Sequence, residues 1–200
     1  MNIIDAIHQR RSVKAFDPDH QISEEDTRAL LSAALVSPTA FNLQHWRFVL
    51  VEDPDVRARL REAAWGQKQV TDASLLIVLC ADLRSWEKDP THYWRDAPDH
   101  VRDRMADAIT NYYRDNPRLE RDEAMRSCGI AAQTLMLAAK GLGYDSCPMD
   151  GFDFGQVADI IQLPEDHVVS MFVAVGKALQ PAPPRSGPLD PDTAIVRDTF

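Results

Sequence analysis

The sequence has few cysteines, and their spacing suggests neither a disulfide framework nor a metal-binding motif. Cys80, Cys128 and Cys147 are scattered and odd in number, which is typical of a protein kept reduced in the cytoplasm. The longest apolar run, LLIVLCA at 75–81, is too short to cross a bilayer. The N-terminus lacks the order of a secretory signal. The sequence therefore predicts a cytoplasmic protein without a membrane partner.

Basic charge and the common catalytic motifs are also missing. The formal net charge of -9 argues against a general nucleic-acid binder, which needs a basic surface to neutralise phosphates. The six histidines lack a spacing such as HExxH, so a zinc site is not predicted. No GxGxxG, GxxxxGK[ST] or GxSxG pattern occurs, which excludes a dinucleotide-binding fingerprint, a P-loop and the nucleophile elbow of an α/β-hydrolase. The polar residues of the chain form none of these catalytic motifs, and they fit the binding of an organic cofactor that supplies the chemistry itself.

The length and composition predict one globular domain over residues 1–200. Hydrophobic periodicity and capping residues predict helices over 2–9, 23–37, 120–141 and 154–163, with a further helix after Asp53-Pro54. Apolar runs predict strands over 46–53, 75–82 and 168–176, and 146–153 is predicted to be a turn-rich loop. Few strands with several helices indicate an α+β sandwich.

Two segments stand apart from this predicted core. Residues 83–118 are polar, rich in aromatics and broken by prolines, which indicates a cover of loop and helix. Its aromatic side chains are expected to shape a pocket: Trp86, Tyr93, Trp94, Tyr112 and Tyr113. Residues 180–200 form a C-terminal arm, in which 193–200 alternates like a strand after a proline-rich tether. This strand either pairs with the sheet edge of a partner subunit or is a frayed tail.

The stretch RRSVK concentrates positive charge at the end of the first predicted helix. In extended chain, Arg10, Ser12 and Lys14 point to one side, while Arg11 and Val13 point to the other. Two cations flanking a hydroxyl suit a phosphate ester, which accepts charge-assisted hydrogen bonds. The alternative is a solvated basic run that interacts favourably with the helix C-terminus.

Amide side chains occur in the loop SPTAFNLQHW, just before the first predicted strand. Pro38 restricts the loop, and the small Thr39 and Ala40 allow a ligand to approach closely. Asn42 and Gln44 offer donors and acceptors, although an Asx-turn leading into the strand would also explain one of them.

A further short turn occurs in PMDGFD. Its dipeptide Asp150-Gly151 would let backbone N–H groups approach a planar ligand, or it is a plain loop.

Taken together, several stretches resemble the FMN-dependent nitroreductase family: RRSVKAF, SPTAFNLQHW, DASLLIVLCA, GIAAQTLMLAAKGLGYDSCPMDGF and VAVGK…PPR. They span nearly the whole chain in the family's order. The resemblance implies a nitroreductase-like sandwich, with a central, mostly antiparallel sheet flanked by helices. It also implies a homodimer with FMN at the subunit interface and a C-terminal strand exchanged between subunits.

The resemblance further implies which residues bind FMN. Arg10, Arg11, Ser12 and Lys14 would hold the phosphate, the ribityl chain and the pyrimidine edge. The other subunit would supply Pro38, Thr39, Ala40 and Asn42, while Gln44 steadies that loop. Backbone N–H groups of Asp150 and Gly151 would point towards flavin N5 and O4, and Arg185 would be a second phosphate ligand.

Two positions depart from the family pattern. Pro183 stands where many members have a basic residue, which leaves Lys177 as a substitute. Gly66 stands where many members have an asparagine against the pyrimidine ring, which leaves Gln67 and Gln69.

The implied function is an FMN-dependent oxidoreductase. Hydride would pass from NAD(P)H through flavin N5 to a flat acceptor, such as a nitroaromatic or a quinone, with ping-pong kinetics. The alternatives are enone reduction, dehalogenation or dehydrogenation on the same scaffold, a flavin-binding protein without turnover, and an acidic interaction module without a cofactor.

Overall fold

The computed structural model describes residues 1–187 and 190–199. In these ranges, four strands form one antiparallel sheet: β1 (Trp46–Leu50), β2 (Leu75–Asp82), β3 (Asp145–Met149) and β4 (His167–Gly176). Their order across the sheet is β1-β2-β4-β3, so the two long strands are central and the two short strands lie at the edges. The described α helices are α1 (Ile3–Gln9), α2 (Glu24–Leu35), α3 (Pro54–Ala63), α4 (Gln69–Asp72), α5 (Ser85–Lys88), α6 (Asp99–Tyr113), α7 (Pro117–Gly141), α8 (Phe154–Ile160) and α9 (Pro191–Ala194).

The helix starts follow the predicted capping residues. The side chains of Asn2 and Ser23 accept hydrogen bonds from the backbone N–H groups of Asp5 and Asp26, three residues later. The Asp53 side chain caps α3, whose first residue is proline. These helices are confirmed because their start signals lie within a few residues of sequence.

Helices cover both faces of the sheet, and β2 shows how its side chains divide between them. Ile77 and Leu79 pack with residues of α2 and α7. Leu76 and Val78, on the other face, pack with residues of α3 and α8. This alternation confirms the α+β sandwich and explains why the predicted strand was apolar throughout.

The prediction of a loop over residues 146–153 was wrong for 146–149, because β3 occupies Asp145–Met149, while 150–153 are in neither a helix nor a strand. Proline normally argues against a strand, and Pro148 lies within β3. Here β3 lies at the edge of the sheet and pairs with β4 alone among the named strands, so Pro148 needs no N–H for a second partner strand.

The prediction of a strand from residue 193 onwards is wrong at Thr193 and Ala194, which belong to α9. Asp190 accepts a hydrogen bond from the N–H of Asp192, and Pro191 occupies the first helical position, so α9 begins there. Residues 195–199 are not in a strand, and Phe200, Pro188 and Leu189 of the predicted arm lie outside the described residues. Exchange of this arm between subunits stays a prediction.

Residues 83–118 consist of loop and helix, as predicted, and contain α5, a 3-10 turn at His92–Trp94 and α6. Along the stretches that the structure describes, no helix is both long enough and apolar enough to cross a membrane.

Candidate functional site

The basic stretch at the N-terminus lies along the free edge of β3. Ser12 forms a parallel bridge with Ser146, and the backbone N–H of Val13 donates to the Ser146 carbonyl at 3.1 Å. Ser12 and Lys14 are exposed while Val13 is buried, which matches the predicted alternation. Because the link runs parallel to β3, Arg10 lies near the start of that strand and Lys14 near its end.

Three arginine side chains meet at the Arg10 end. Arg185 Nη2 donates to the backbone carbonyls of Arg10 at 2.8 Å and His8 at 3.3 Å, and Arg11 donates to the Pro183 carbonyl. Arg10 Nη1 is buried and has no hydrogen-bond partner within the described residues. Burial lowers the pKa of Arg10, and the nearby Arg185 and Arg11 guanidinium groups lower that pKa further.

No carboxylate forms an ion pair with these arginines in residues 1–187 and 190–199. A buried guanidinium without a counter-charge is unfavourable. We call Arg10, Arg11 and Arg185 the arginine cluster. Its positive charge and the free Nη1 of Arg10 can bind an anion such as a phosphate group.

Further along β3, Lys14 Nζ donates to the Cys147 thiol at 3.5 Å. Ser146, on the same strand, has a buried hydroxyl without a hydrogen-bond partner in the described part of the chain. Neither Ser146 nor Cys147 was among the predicted site residues, because both appeared to belong to a loop rather than to the strand beside the basic stretch.

Beyond the end of β3, the predicted glutamines meet the glycine turn. Gln67 Nε2 donates to the Gly151 carbonyl at 2.7 Å, and Gln69 Nε2 lies 3.5 Å from Gln67 Oε1. A Cβ atom at Gly151 would lie 3.3 Å from Trp65 Cζ3, so the glycine allows this close packing. The exposed ring of Trp65 therefore lies against the same turn. Sequence reasoning missed Trp65, because the only indication in the sequence was an aromatic residue before Gly66.

The remaining residues of this set are less closely tied together. Asp150 is exposed beside Gly151. Lys177 Nζ donates to the Gly143 carbonyl at 2.6 Å and lies 4.6 Å from the Tyr144 ring centroid. The structure therefore engages Lys177 with these two residues, and its assignment as a phosphate ligand stays a prediction.

The amide loop before β1 has an unusual backbone. Phe41, Asn42 and Gln44 have φ angles of 53°, 58° and 47°, in the left-handed region that side chains other than glycine rarely adopt. Each such residue costs about 1 kcal/mol relative to ordinary backbone. Strain of this kind persists only where the surroundings hold it, and it is concentrated at functional sites.

Bonds within the loop account for part of that support. The backbone N–H of Gln44 donates to Thr39 Oγ1 at 3.0 Å, and Gln44 Nε2 lies 3.3 Å from both oxygens of Asn42. Gln44 therefore steadies the loop, as the sequence suggested. Pro38 and Asn42 are exposed, while Thr39 and Ala40 are half-buried.

Within one chain, the amide loop and the arginine cluster lie at opposite edges of the sheet. The loop leads into β1 and the cluster lies on the outer side of β3, and three strand spacings, about 14 Å, separate β1 from β3. No hydrogen bond among the described residues joins the loop to the cluster, so a single chain does not bring together all of the predicted ligands.

The aromatic cover divides into interior and outer residues. Trp86 and Tyr113 are only 7% and 0% exposed, so they belong to the core rather than to a pocket wall. Tyr93 and Trp94 are half-buried, and Tyr112 is 45% exposed.

A separate polar cluster lies at the end of β2. Asp82, Asp166 and His167 have ligand atoms close enough to suggest a metal site. Lys88 Nζ, however, lies 2.8 Å from both Asp82 and Asp166, and Arg47 Nη2 lies 3.1 Å from Asp82. Hydrogen bonds from Lys88 and His167 lower the pKa of Asp166 to about 2. The cluster is therefore an ion-pair network that anchors α5 to the sheet.

Comparison with known proteins is consistent across sequence and structure. A sequence model described as the Nitroreductase family matches residues 7–177. The protein DrgA of Synechocystis sp. is 52% identical over 183 residues, which make up 92% of this chain and 87% of DrgA. YodC of Bacillus subtilis, named an NAD(P)H nitroreductase, is 33% identical over 186 residues, covering 90% of this chain and 92% of YodC. The solved structure of a nitroreductase from Exiguobacterium sibiricum in complex with FMN superposes with a TM-score of 0.90, at 27% identity, covering 98% of this chain and 97% of that one.

Proposed function

The chain belongs to the nitroreductase family, and on that premise we propose that it is an FMN-dependent oxidoreductase. Hydride from NAD(P)H is expected to reach a flat acceptor, such as a nitroaromatic or a quinone, through flavin N5. The observation that carries this proposal is the arginine cluster, in which Arg10 Nη1 has no hydrogen-bond partner among residues 1–187 and 190–199.

The cluster suits the FMN phosphate in charge and geometry. A phosphate monoester carries about -1.5 to -2 charges near neutrality, and a protein of net charge -9 needs local positive charge to hold it. Arg185 is oriented by the backbone carbonyls of His8 and Arg10, which leaves its other N–H groups available. Arg10, Arg11 and Arg185 would therefore bind the phosphate, with Ser12 beside the ribityl chain.

The other end of the basic stretch suits the flavin ring. Arg10 and Lys14 are four steps apart in extended chain, which is about 13 Å. Lys14 would lie at the N1/O2 edge, where a positive charge stabilises the reduced flavin. Gln67 and Gln69 would face the pyrimidine ring, and the N–H groups of Asp150 and Gly151 would face N5 and O4.

A second subunit would complete the site with Pro38, Thr39, Ala40 and Asn42, which one chain keeps at its far sheet edge. The apolar side chains of α1 support a homodimer, since Ile3, Ile4 and Ile7 are 60%, 58% and 41% exposed. The outer edge of β1 is unpaired in the described residues and offers a place for the partner's arm, residues 180–200.

The protein's own groups would bind and orient the reactants. FMN supplies the redox chemistry, so no side-chain acid, base or nucleophile is required. Donor and acceptor would use the same site in turn, which predicts ping-pong kinetics. Burial raises the pKa of Cys80 and of Cys128 to about 12, so both are inert thiols suited to the reducing cytoplasm.

Steady-state kinetics test the proposal. The FMN-loaded protein is assayed with NADH or NADPH against menadione, nitrofurazone and crotonaldehyde. We expect turnover with menadione and nitrofurazone, and parallel double-reciprocal lines when both substrates are varied. Turnover of crotonaldehyde alone would reject the nitroaromatic and quinone assignment in favour of enone reduction.

A further inference from the structure

We propose that Trp94 is a positioning residue, through which the cover segment 83–118 fixes the amide loop and thereby sets how tightly the flavin is held. The inference rests on the proposed function, because it needs the loop to contact FMN. The inference adds Trp94 to the residues that affect FMN binding, although Trp94 contacts neither the arginine cluster nor the glycine turn.

Two hydrogen bonds tie the cover to the strained part of the loop. Trp94 Nε1 donates to the Phe41 carbonyl at 3.1 Å, and Asn42 Nδ2 donates to the Tyr93 carbonyl at 3.3 Å. Phe41 and Asn42 are two of the three loop residues with positive φ, so both bonds act where the backbone of the loop is least stable by itself.

Packing and a third hydrogen bond hold the rest of the loop. The Ser85 hydroxyl lies 3.0 Å from His45 Nδ1, in the interior between α5 and the start of β1. Leu43 is fully buried among residues of α5 and α6, and the Phe41 ring lies 5.4 Å from that of Tyr112. The loop is thus held from Phe41 to His45 by the cover.

The consequence concerns Asn42, the exposed amide assigned to the flavin of the neighbouring subunit. Its backbone needs support to stay in the left-handed region, and its orientation depends on Tyr93 and Trp94. A change in the cover is therefore transmitted through the loop to the flavin and alters the flavin affinity.

Trp94→Phe is the direct test, since it removes the indole N–H but keeps an aromatic ring. Trp86→Phe is the matched control, because the Trp86 N–H donates to Glu120 of α7 at 2.9 Å and phenylalanine keeps an aromatic ring in the cluster that contains Leu43. We expect Trp94→Phe to raise the FMN dissociation constant about fivefold, in line with one neutral hydrogen bond. Trp86→Phe should lower the melting temperature at least as much, yet change the FMN dissociation constant less than twofold.

A double-mutant cycle with Asn42→Ala separates positioning from a general loss of stability. If Trp94 acts through the loop, adding Trp94→Phe to Asn42→Ala should weaken FMN binding less than twofold further. Ser85→Ala removes a different tie between the loop and the cover, and we expect it to weaken FMN binding about twofold to threefold. It keeps the inference testable if Trp94→Phe folds poorly.

The outcomes distinguish this inference from the proposed function. If wild type binds FMN and Arg10→Ala weakens that binding, but Trp94→Phe and Ser85→Ala bind as wild type does, the positioning role is wrong and the proposed function stands. Full additivity in the cycle, or an equal loss of affinity in Trp86→Phe, would also overturn the positioning role. If wild type binds no FMN, both fail.

Discussion

Arg185 Nη2 lies 2.8 Å from the backbone carbonyl oxygen of Arg10, which joins the C-terminal segment to the end of the first helix. A cation that bonds the last carbonyls of a helix is favourably placed with respect to the helix dipole. The same contact brings two guanidinium groups together, and the repulsion between them is relieved when an anion binds between them.

Arg10→Ala should therefore weaken FMN binding. Loss of charge-assisted hydrogen bonds to the phosphate is expected to raise the dissociation constant about 10- to 100-fold. Fluorescence titration of the apoprotein with FMN measures it. Arg59→Ala, at an exposed position of α3, is the control and should bind as wild type does. Equal affinity in Arg10→Ala and wild type would reject the phosphate assignment.

Ile4→Asp should disrupt the proposed homodimer without unfolding the subunit, because Ile4 is 58% exposed in one chain. A buried carboxylate at a subunit interface is strongly unfavourable. Light scattering should give twice the chain mass of 22.5 kDa for wild type and a smaller average mass for Ile4→Asp. The variant should also lose FMN. Ala58→Asp, exposed on α3, should stay dimeric. A monomeric wild type that still binds FMN would contradict the shared site.

Asp82→Asn tests the ion-pair network under the cover. The Asp82 side chain is 1% exposed and accepts hydrogen bonds from Lys88, Arg47 and the backbone N–H of Arg84. Removing its charge should lower the free energy of unfolding by about 2 kcal/mol, as measured by urea denaturation. Asp96→Asn, at a side chain that is 95% exposed, should change it by less than about 0.5 kcal/mol. Equal stabilities of the two variants would show that the network contributes little.

The buried side chain of His45 should make the stability of the protein depend on pH. Burial lowers its pKa below 6.5, against the opposing influence of Asp82 and Glu123 and with a contribution from Arg47. The unfolded chain therefore takes up a proton at a higher pH than the folded chain does. The free energy of unfolding should then fall as the pH decreases from about 7 to about 5.

Urea denaturation at several pH values measures this effect. His45→Gln should flatten the decline, because glutamine does not titrate. His100→Gln, on the exposed side of α6, should leave the decline as it is in wild type. Identical slopes for His45→Gln and wild type would exclude His45 as its source.

Local signals were enough to predict much of the fold. The caps at Asn2, Ser23 and Asp53 each act within three residues, and the apolar run of β2 reflects its burial on two faces. The strand β3 was missed because its pairing with β4 depends on residues far away in sequence, which outweigh the local preference of Pro148.

The same distinction applies to the candidate site. The alternation predicted for RRSVK matches the exposure of Ser12, Val13 and Lys14, since it depends only on extended backbone, whereas Arg10 and Arg11 are both half-buried. The bond between Gln67 and Gly151 joins residues 84 positions apart, and that between Phe41 and Trp94 joins residues 53 positions apart. No spacing in the sequence indicates contacts of this kind. The resemblance assigned Gln67 and Gly151 to the same flavin, but only the structure revealed the two bonds.

The central claim is that the arginine cluster and the amide loop, from two chains, surround one FMN that carries out the redox chemistry. The visible absorption spectrum of the purified protein, recorded before and after anaerobic addition of NADH or NADPH, tests it most directly. We expect a yellow protein whose flavin absorbance bleaches on reduction and returns when menadione is added. A colourless protein that does not take up added FMN would contradict the claim, as would a yellow protein that neither nucleotide bleaches.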